Sequence, residues 1–209
     1  MTESAFGKSV FINCPFDEDY APILQAILFC IIYLGLAPRL ASENNDSGAV
    51  RLQKIIDLVK ECRFSVHDLS RAVAAEAGEV FRLNMPFELG LDYGCRQFHG
   101  GEHGSKVLLI LQATPYQHHT ALSDLSGCDA EAHQNSYQTA VRKVRNWLAS
   151  EAHLAAPGPS RILNAYADFQ EWYYERQLAA GFSDEDIQDY PTAELLLAMR
   201  EWIALGKPL

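Results

Sequence analysis

Basic residues are scarce in this chain: 17 Lys and Arg stand against 27 Asp and Glu, a formal charge of −10. With no basic patch to neutralise phosphates, non-specific nucleic-acid binding is disfavoured, and a small-molecule or protein partner fits better. Cysteine is sparse too. Cys14, Cys30, Cys62, Cys95 and Cys128 are odd in number and have no paired spacing, which speaks against a disulfide framework and for a reducing, cytoplasmic compartment. Long hydrophobic runs are missing. Met1 to Ser9 carries no apolar stretch of the kind a secretory signal needs, so none is expected. Ile23 to Leu36 is broken by Gln25 and closed by Gly35 and Pro38, so it is too short to span a bilayer and reads as a buried helix. No internal repeat or low-complexity segment is visible. The remaining composition, 48% hydrophobic and 21% charged over 209 residues, suits a globular protein with one main core and an appendage.

Several familiar chemistries are present only as fragments. Gly7-Lys8-Ser9 ends like a phosphate-binding loop, but Thr2 stands where the first glycine is required and the tripeptide precedes a strand. Cys95, His99 and His103 have the four-residue spacing of metal ligands on a helix, yet Gly100 and Gly101 end that helix before His103. His118-His119 with Ser123 lacks a nucleophile elbow, so these read as polar loop residues at a cleft rim. No metal and no bound cofactor are expected. Cys14 reads as a small buried pocket residue.

The chain does alternate strands with helices. Val10 to Asn13 is an apolar strand stopped by Cys14-Pro15-Phe16, and Asp17, Glu18 and Asp19 precede a helix that runs to about Leu34 and ends at Gly35. Arg39 to Ala41 is a weak second strand. Val50, Ile55, Leu58, Val59 and Cys62 recur at helical spacing over Ala49 to Cys62, and Phe64 to His67 follows as strand three, closed by Asp68. Residues 69 to 85 form a long connection, with a short helical insert at Ala72 to Phe81, long enough to serve as a lid. Phe87 to Phe98 makes the next helix, Val107 to Leu111 is the clearest buried strand, and a helix over about Ala130 to Ala152 closes the main domain.

Such alternation predicts a flavodoxin-like α/β fold, a parallel sheet with helices on both faces. Ala156-Pro157-Gly158-Pro159 marks a boundary, giving a domain over 1–155 and a helical C-terminal extension over 156–209. In that extension Ser183 before Asp184, Glu185 and Asp186 reads as an N-cap, and Thr192 as another. Tyr166, Phe169, Trp172 and Tyr173 form an aromatic stripe that packs on the domain or on a second subunit, so a homo-oligomer through the extension is one expectation.

The segment Asn84-Met85-Pro86-Phe87-Glu88-Leu89-Gly90 carries the strongest functional signal. Pro86 suits the first helical position, which puts Glu88 in the first turn, where the helix dipole favours an anion. Asp68 ends a buried strand, the place where open α/β sheets build their ligand crevice, and the loop after Asn13 faces it across the point where strand order reverses. Two carboxylates are thus expected in one cleft.

Asp68, a variable loop, and then Pro86 to Leu91 with Gly94 a turn later resemble the active-site segment of nucleoside 2-deoxyribosyltransferases and of bacterial Toll/interleukin receptor (TIR) domains that cleave NAD. The resemblance spans roughly residues 8 to 112. It implies that Glu88 attacks the anomeric carbon or stabilises the oxocarbenium-like sugar, that Asp68 holds sugar hydroxyls or the base, and that Asn13, Cys14, Pro15, Phe16, Asn84, Met85 and Phe87 border the substrate. It also implies cleavage of an N-glycosidic bond in a nucleotide or nucleoside, with NAD the leading substrate, and a role in bacterial defence against phage. The rival expectation is a module that senses a nucleotide, or self-associates, without catalysis, since this architecture hosts both.

Overall fold

The computed structural model describes residues 5–43, 46–71, 83–188 and 191–206. After a single helical turn, α1 (Ala5–Lys8), come β1 (Ser9–Asn13), α2 (Ala21–Tyr33), β2 (Ala37–Arg39), α3 (Arg51–Glu61) and β3 (Phe64–Asp68). The chain continues through α4 (Asn84–Phe98), β4 (Val107–Gln112), α5 (Gln117–Ala121), β5 (Ala130–Ala132) and α6 (Tyr137–Glu151), then α7 (Pro159–Ala179), α8 (Asp184–Gln188) and α9 (Thr192–Ala204). The strands form one parallel sheet in the order β2-β1-β3-β4-β5. This is the expected flavodoxin-like arrangement with a helical C-terminal part, and its order reverses between β1 and β3.

Side chains alternate across the sheet and so divide the core. Val10, Ile12, Phe64, Val66, Leu109 and Leu111 pack with α2 and α6, while Phe11 joins Ile55, Leu58 and Val59 of α3 on the other face. The same alternation governs polar residues at the strand ends. Asp68 follows Val66 toward α2, whereas Asn13 and His67 turn toward α4.

Helix α2 accounts for the long apolar run: Ile23, Leu24 and every residue from Ala26 to Ile32 are buried. A helix apolar all round needs cover on both sides. The sheet supplies one side, and α7 and α9 supply the other, with Phe29 ring-to-ring against Tyr166 at 5.3 Å, Phe169 at 5.4 Å and Trp202 at 5.8 Å. The aromatic stripe therefore packs within the chain. Phe29→Leu is expected to cost about 1.5–4 kcal/mol, since it removes three aromatic pairs of about 0.5–1.5 kcal/mol each but keeps most apolar volume. Urea unfolding checks this.

The helix ends follow local chemistry, with some corrections. Gly35 (φ 80°) closes α2 in a Schellman motif, its N–H reaching Ile32 O and that of Leu36 reaching Ile31 O. Asp17, Glu18 and Asp19 stand in the turn before α2 and not in its first turn. Ser183 caps α8 as expected, accepting from Asp186 N at 3.2 Å, but Thr192 is the first residue of α9 and not its cap. The helix expected from Ala130 is instead β5 followed by α6, which starts where Ser136 Oγ accepts from Thr139 N at 3.2 Å. The insert at Ala72 to Phe81 lies outside the described residues. No helix among the described residues is long and apolar enough to cross a membrane.

Candidate functional site

At the β1/β3 switch point, Asn13 sits beside His67 in register. The Asn13 amide nitrogen donates to the Met85 carbonyl at 2.9 Å and faces His67 Nδ1 at 2.9 Å. A carbonyl only accepts, so the amide orientation is fixed, Nδ1 must accept, and the proton of neutral His67 lies on Nε2. That nitrogen donates to Asp92 Oδ2 at 3.0 Å. Asp92 Oδ1 in turn meets Lys106 Nζ at 3.1 Å, and Lys106 also donates to the carbonyls of Val59, at 2.7 Å, and of Cys62. The chain of contacts is buried throughout. It pins α4 at its first turn, through Met85, and two turns further on, through Asp92.

Asp68 lies in a second network on the opposite face. Its Oδ2 accepts from Tyr20 O–H at 2.6 Å and from His133 Nε2 at 3.0 Å, and its Oδ1 accepts from Ser70 N at 2.9 Å and from the Ser70 hydroxyl. Asn135 N–H donates to His133 Nδ1 at 3.1 Å, which leaves the proton on Nε2. Ser70, His133 and Asp68 have the composition of a nucleophilic triad but not its geometry. Serine and aspartate share one imidazole nitrogen, and the serine hydroxyl donates to the carboxylate. Burial pushes the Asp68 pKa up, but hydrogen bonds from His133, Ser70 and Tyr20 outweigh it and hold it below the usual value.

Asp68 was expected to face substrate; its side chain is fully buried and its oxygens are occupied from within the fold. Its pKa also predicts acid behaviour. Because the folded pKa is depressed, Asp68 contributes stability that is complete above the unfolded value of about 3.9 and is lost as pH falls through the folded pKa. Acid unfolding followed by circular dichroism should therefore be shallower below pH ~4 in Asp68→Asn than in the parent.

Glu88 departs from expectation in a different way. Helix α4 begins at Asn84, so Pro86 is its third residue and Glu88 its fifth, past the first turn. The dipole is no longer the main influence. Glu88 is 7% exposed and has no hydrogen-bond or ion-pair partner among the described residues. Burial raises its pKa, with Arg51 opposing. The Cys14 thiol is raised well above normal by burial, then by the charges of Asp68, Glu88 and Asp17. Cys14 thus senses both carboxylates, although these border the strand ends from opposite faces of the sheet.

The other expected pocket residues divide by exposure. Pro15 and Met85 are buried, Met85 against Leu69, Leu89 and Ile110, while Phe16, Asn84 and Phe87 are exposed. Phe16 and Phe87 keep 46% and 55% of their surface open and so belong to no core. His67, Asp92, Lys106 and His133 were not anticipated. The available signal was the spacing of Glu88 and Asp92, which places both on one face of a helix.

A cavity of about 510 Å³ opens at the β5 edge of the sheet, lined by Gln112, Tyr116, His118, His119, Cys128, Asp129, Glu131, Gln134 and Lys143 among others. The residues expected at the β1/β3 crevice do not line it. His118, expected on a loop at the rim, is buried on α5. Comparison with family models, curated proteins and solved structures found no match.

Proposed function

We propose that this protein cleaves the N-glycosidic bond of a nucleotide or nucleoside, with NAD the leading substrate and Glu88 as the carboxylate that meets the sugar. The observation that carries this reading is a nearly buried carboxylate without a partner among the described residues, at the strand-order reversal where such sheets hold ligands. A buried carboxylate with no partner among the described residues costs stability when ionised, and sites that perform chemistry accept such a cost.

In the proposed reaction the C1′–N bond breaks and its electron pair leaves with the base. The Glu88 carboxylate bonds to, or electrostatically stabilises, the cationic C1′; water then adds to C1′, breaking the Glu88–C1′ bond where one has formed, and its proton goes to the departed base of a nucleoside or to solvent when the base is nicotinamide. Asn13 and the His67–Asp92–Lys106 chain are positioning residues, since they hold α4 at Met85 and Asp92, on either side of Glu88. Asp68 positions the loop after β3 through Ser70. The exposed rings of Phe16 and Phe87 are available to the base or nicotinamide.

Assay of purified protein against NAD and a nucleoside panel, with chromatographic detection of free base, tests the reading. Base release that disappears in Glu88→Gln supports it. Saturable nucleotide binding with no base release would replace it with the sensor reading.

A further inference from the structure

The outer face of α4 differs from that of its neighbour. Its exposed positions are Asn84, Phe87, Gly90, Tyr93, Gln97 and Phe98, and none of them is charged. The three charged residues of the helix are withdrawn: Glu88 and Asp92 are buried, and Arg96 is half-buried over the Tyr93 ring at 4.8 Å. Neighbouring α3 turns Arg51, Gln53, Asp57, Lys60 and Glu61 outward, the usual composition of a solvent-facing helix. At about 100° per residue, Leu83, Phe87, Gly90, Gly94, Gln97 and Phe98 fall in one stripe roughly 100° wide, opposite the buried Met85, Leu89 and Asp92. Helix α4 is thus apolar on two sides, and the chain covers one of them.

Two glycines lie in the middle of the uncovered side. A glycine inside a helix costs about 1 kcal/mol relative to alanine. Neither Gly90 nor Gly94 has a positive φ, and an added Cβ would meet nothing within 4 Å at Gly90 and only the Phe98 ring, at 3.9 Å, at Gly94. Nothing among the described residues calls for glycine at either position. A second backbone brought close over them does.

The spacing of the stripe identifies that backbone. Phe87, Gly90, Gly94 and Phe98 stand three, four and four residues apart, nearly the same in both directions, and a surface that is its own complement is what a two-fold dimer requires. Crossed antiparallel at this centre, Gly90 of each copy faces Gly94 of the other, Phe87 meets Phe98, and the two helix dipoles oppose. The flanking charges agree. Exposed Arg51, whose charge reaches Glu88 in the first half of α4, comes opposite the partner's exposed Glu102, just past the end of α4. The area is also sufficient. Leu83, Phe87, Tyr93 and Phe98 keep 61%, 55%, 42% and 89% of their surface open, which leaves roughly 400–550 Å² of side chain to cover. A standard interface covers about 800 Å² per partner, a little over half of it apolar.

We propose that this chain forms a two-fold dimer in which α4 pairs antiparallel with α4 of a second copy, in contact at Gly90 and Gly94. Because Phe87 directly precedes Glu88, the partner's Phe98 then borders the Glu88 crevice. The dimer does not depend on the role assigned to Glu88.

Sedimentation equilibrium of the full chain tests this. At ~100 μM the parent should have the mass of two chains. Gly90→Glu places its side chain in open space and a better helix former in α4, so the circular dichroism of the fold should be kept while dimer affinity falls at least tenfold. Phe98→Glu, at a position outside the core, should do the same. Orientation is read by cross-linking. Gly90→Cys and Gly94→Cys proteins, mixed under mild oxidation, should give more disulfide-linked dimer than either alone or the parent, because like positions are offset by about 6 Å along the helix axis while unlike positions face each other. A parent chain monomeric at that concentration would overturn the proposal and leave the α4 face to a different protein. A dimer indifferent to both glutamate substitutions would also overturn it, moving the contact to another face such as the C-terminal extension. Cross-linking as strong in either cysteine protein alone as in the mixture would rule out the antiparallel pairing.

Discussion

Lys106→Met should be among the most destabilising single substitutions in the chain, costing about 3–5 kcal/mol. The side chains of Lys106 and Asp92 are both fully buried. Removing the ammonium leaves the Asp92 carboxylate in a low-dielectric interior without its cation, held by neutral hydrogen-bond donors such as His67, and deprives the Val59 and Cys62 carbonyls of the Lys106 donor. Against a typical total stability of about 5–15 kcal/mol, the melting temperature should drop by roughly 10 °C. Asp92→Asn should be costly for the converse reason, since it strands the ammonium. The double variant Lys106→Met/Asp92→Asn should be more stable than the sum of the single effects predicts, by about 1–3 kcal/mol, because neither charge is then left alone. Strict additivity in urea unfolding would mean that the two groups do not act as a pair. A Lys106→Met protein within ~1 kcal/mol of the parent would mean that the ion pair is not sequestered.

This buried chain also shows why the sheet was legible in the sequence and much of the site was not. Strands β1 and β3 are buried on both faces and β4 is buried from Leu109 to Gln112; β1 and β4 show as the short apolar runs Val10-Phe11-Ile12 and Val107 to Leu111, β3 only as Phe64 and Val66 between polar residues, and the alternation of strands with helices makes the sheet parallel. Edge strand β5 gives no such signal: Ala130-Glu131-Ala132 has helical propensity, and only pairing with β4 makes it extended. Pro86 misplaced the start of α4 for a physical reason. The first several N–H groups of a helix have no intrahelical acceptor, so proline is tolerated at the third position as well as the first, and its presence does not specify which. His67 looked like a bland member of a core strand because its partners, Asn13 and Asp92, come from 54 and 25 residues away. Asp68 misled in the opposite direction. Its place at a strand end was read correctly, but the residues that enclose it, Tyr20 and His133, are brought there by the fold from far along the chain.

Glu88→Gln is expected to separate activity from stability in opposite senses. If the carboxylate meets the sugar, its replacement by a neutral amide of the same shape should lower base release by at least about a hundredfold, the scale of losing one electrostatic contact that matters in the transition state. The same change should raise thermal stability at neutral pH. Burial raises the folded-state pKa of Glu88, so between its unfolded value of about 4.3 and the folded value the native state binds more proton than the unfolded chain, and stability falls as pH rises through that window. Above the window the parent protein carries a desolvated charge that the amide removes. A gain of about 1 kcal/mol, or roughly 2–4 °C, is the usual size for relieving a functional group of this kind. Below pH ~4 the parent carboxyl is protonated and the two melting temperatures should converge. The acid limb of the parent's activity should lie above the pH at which an ordinary glutamate titrates, because the reaction needs the ionised form. A Glu88→Gln protein that melts lower than the parent at neutral pH would show that the carboxylate is held by a favourable partner and is a structural group. Retained base release in that variant would take Glu88 out of the reaction whatever its stability.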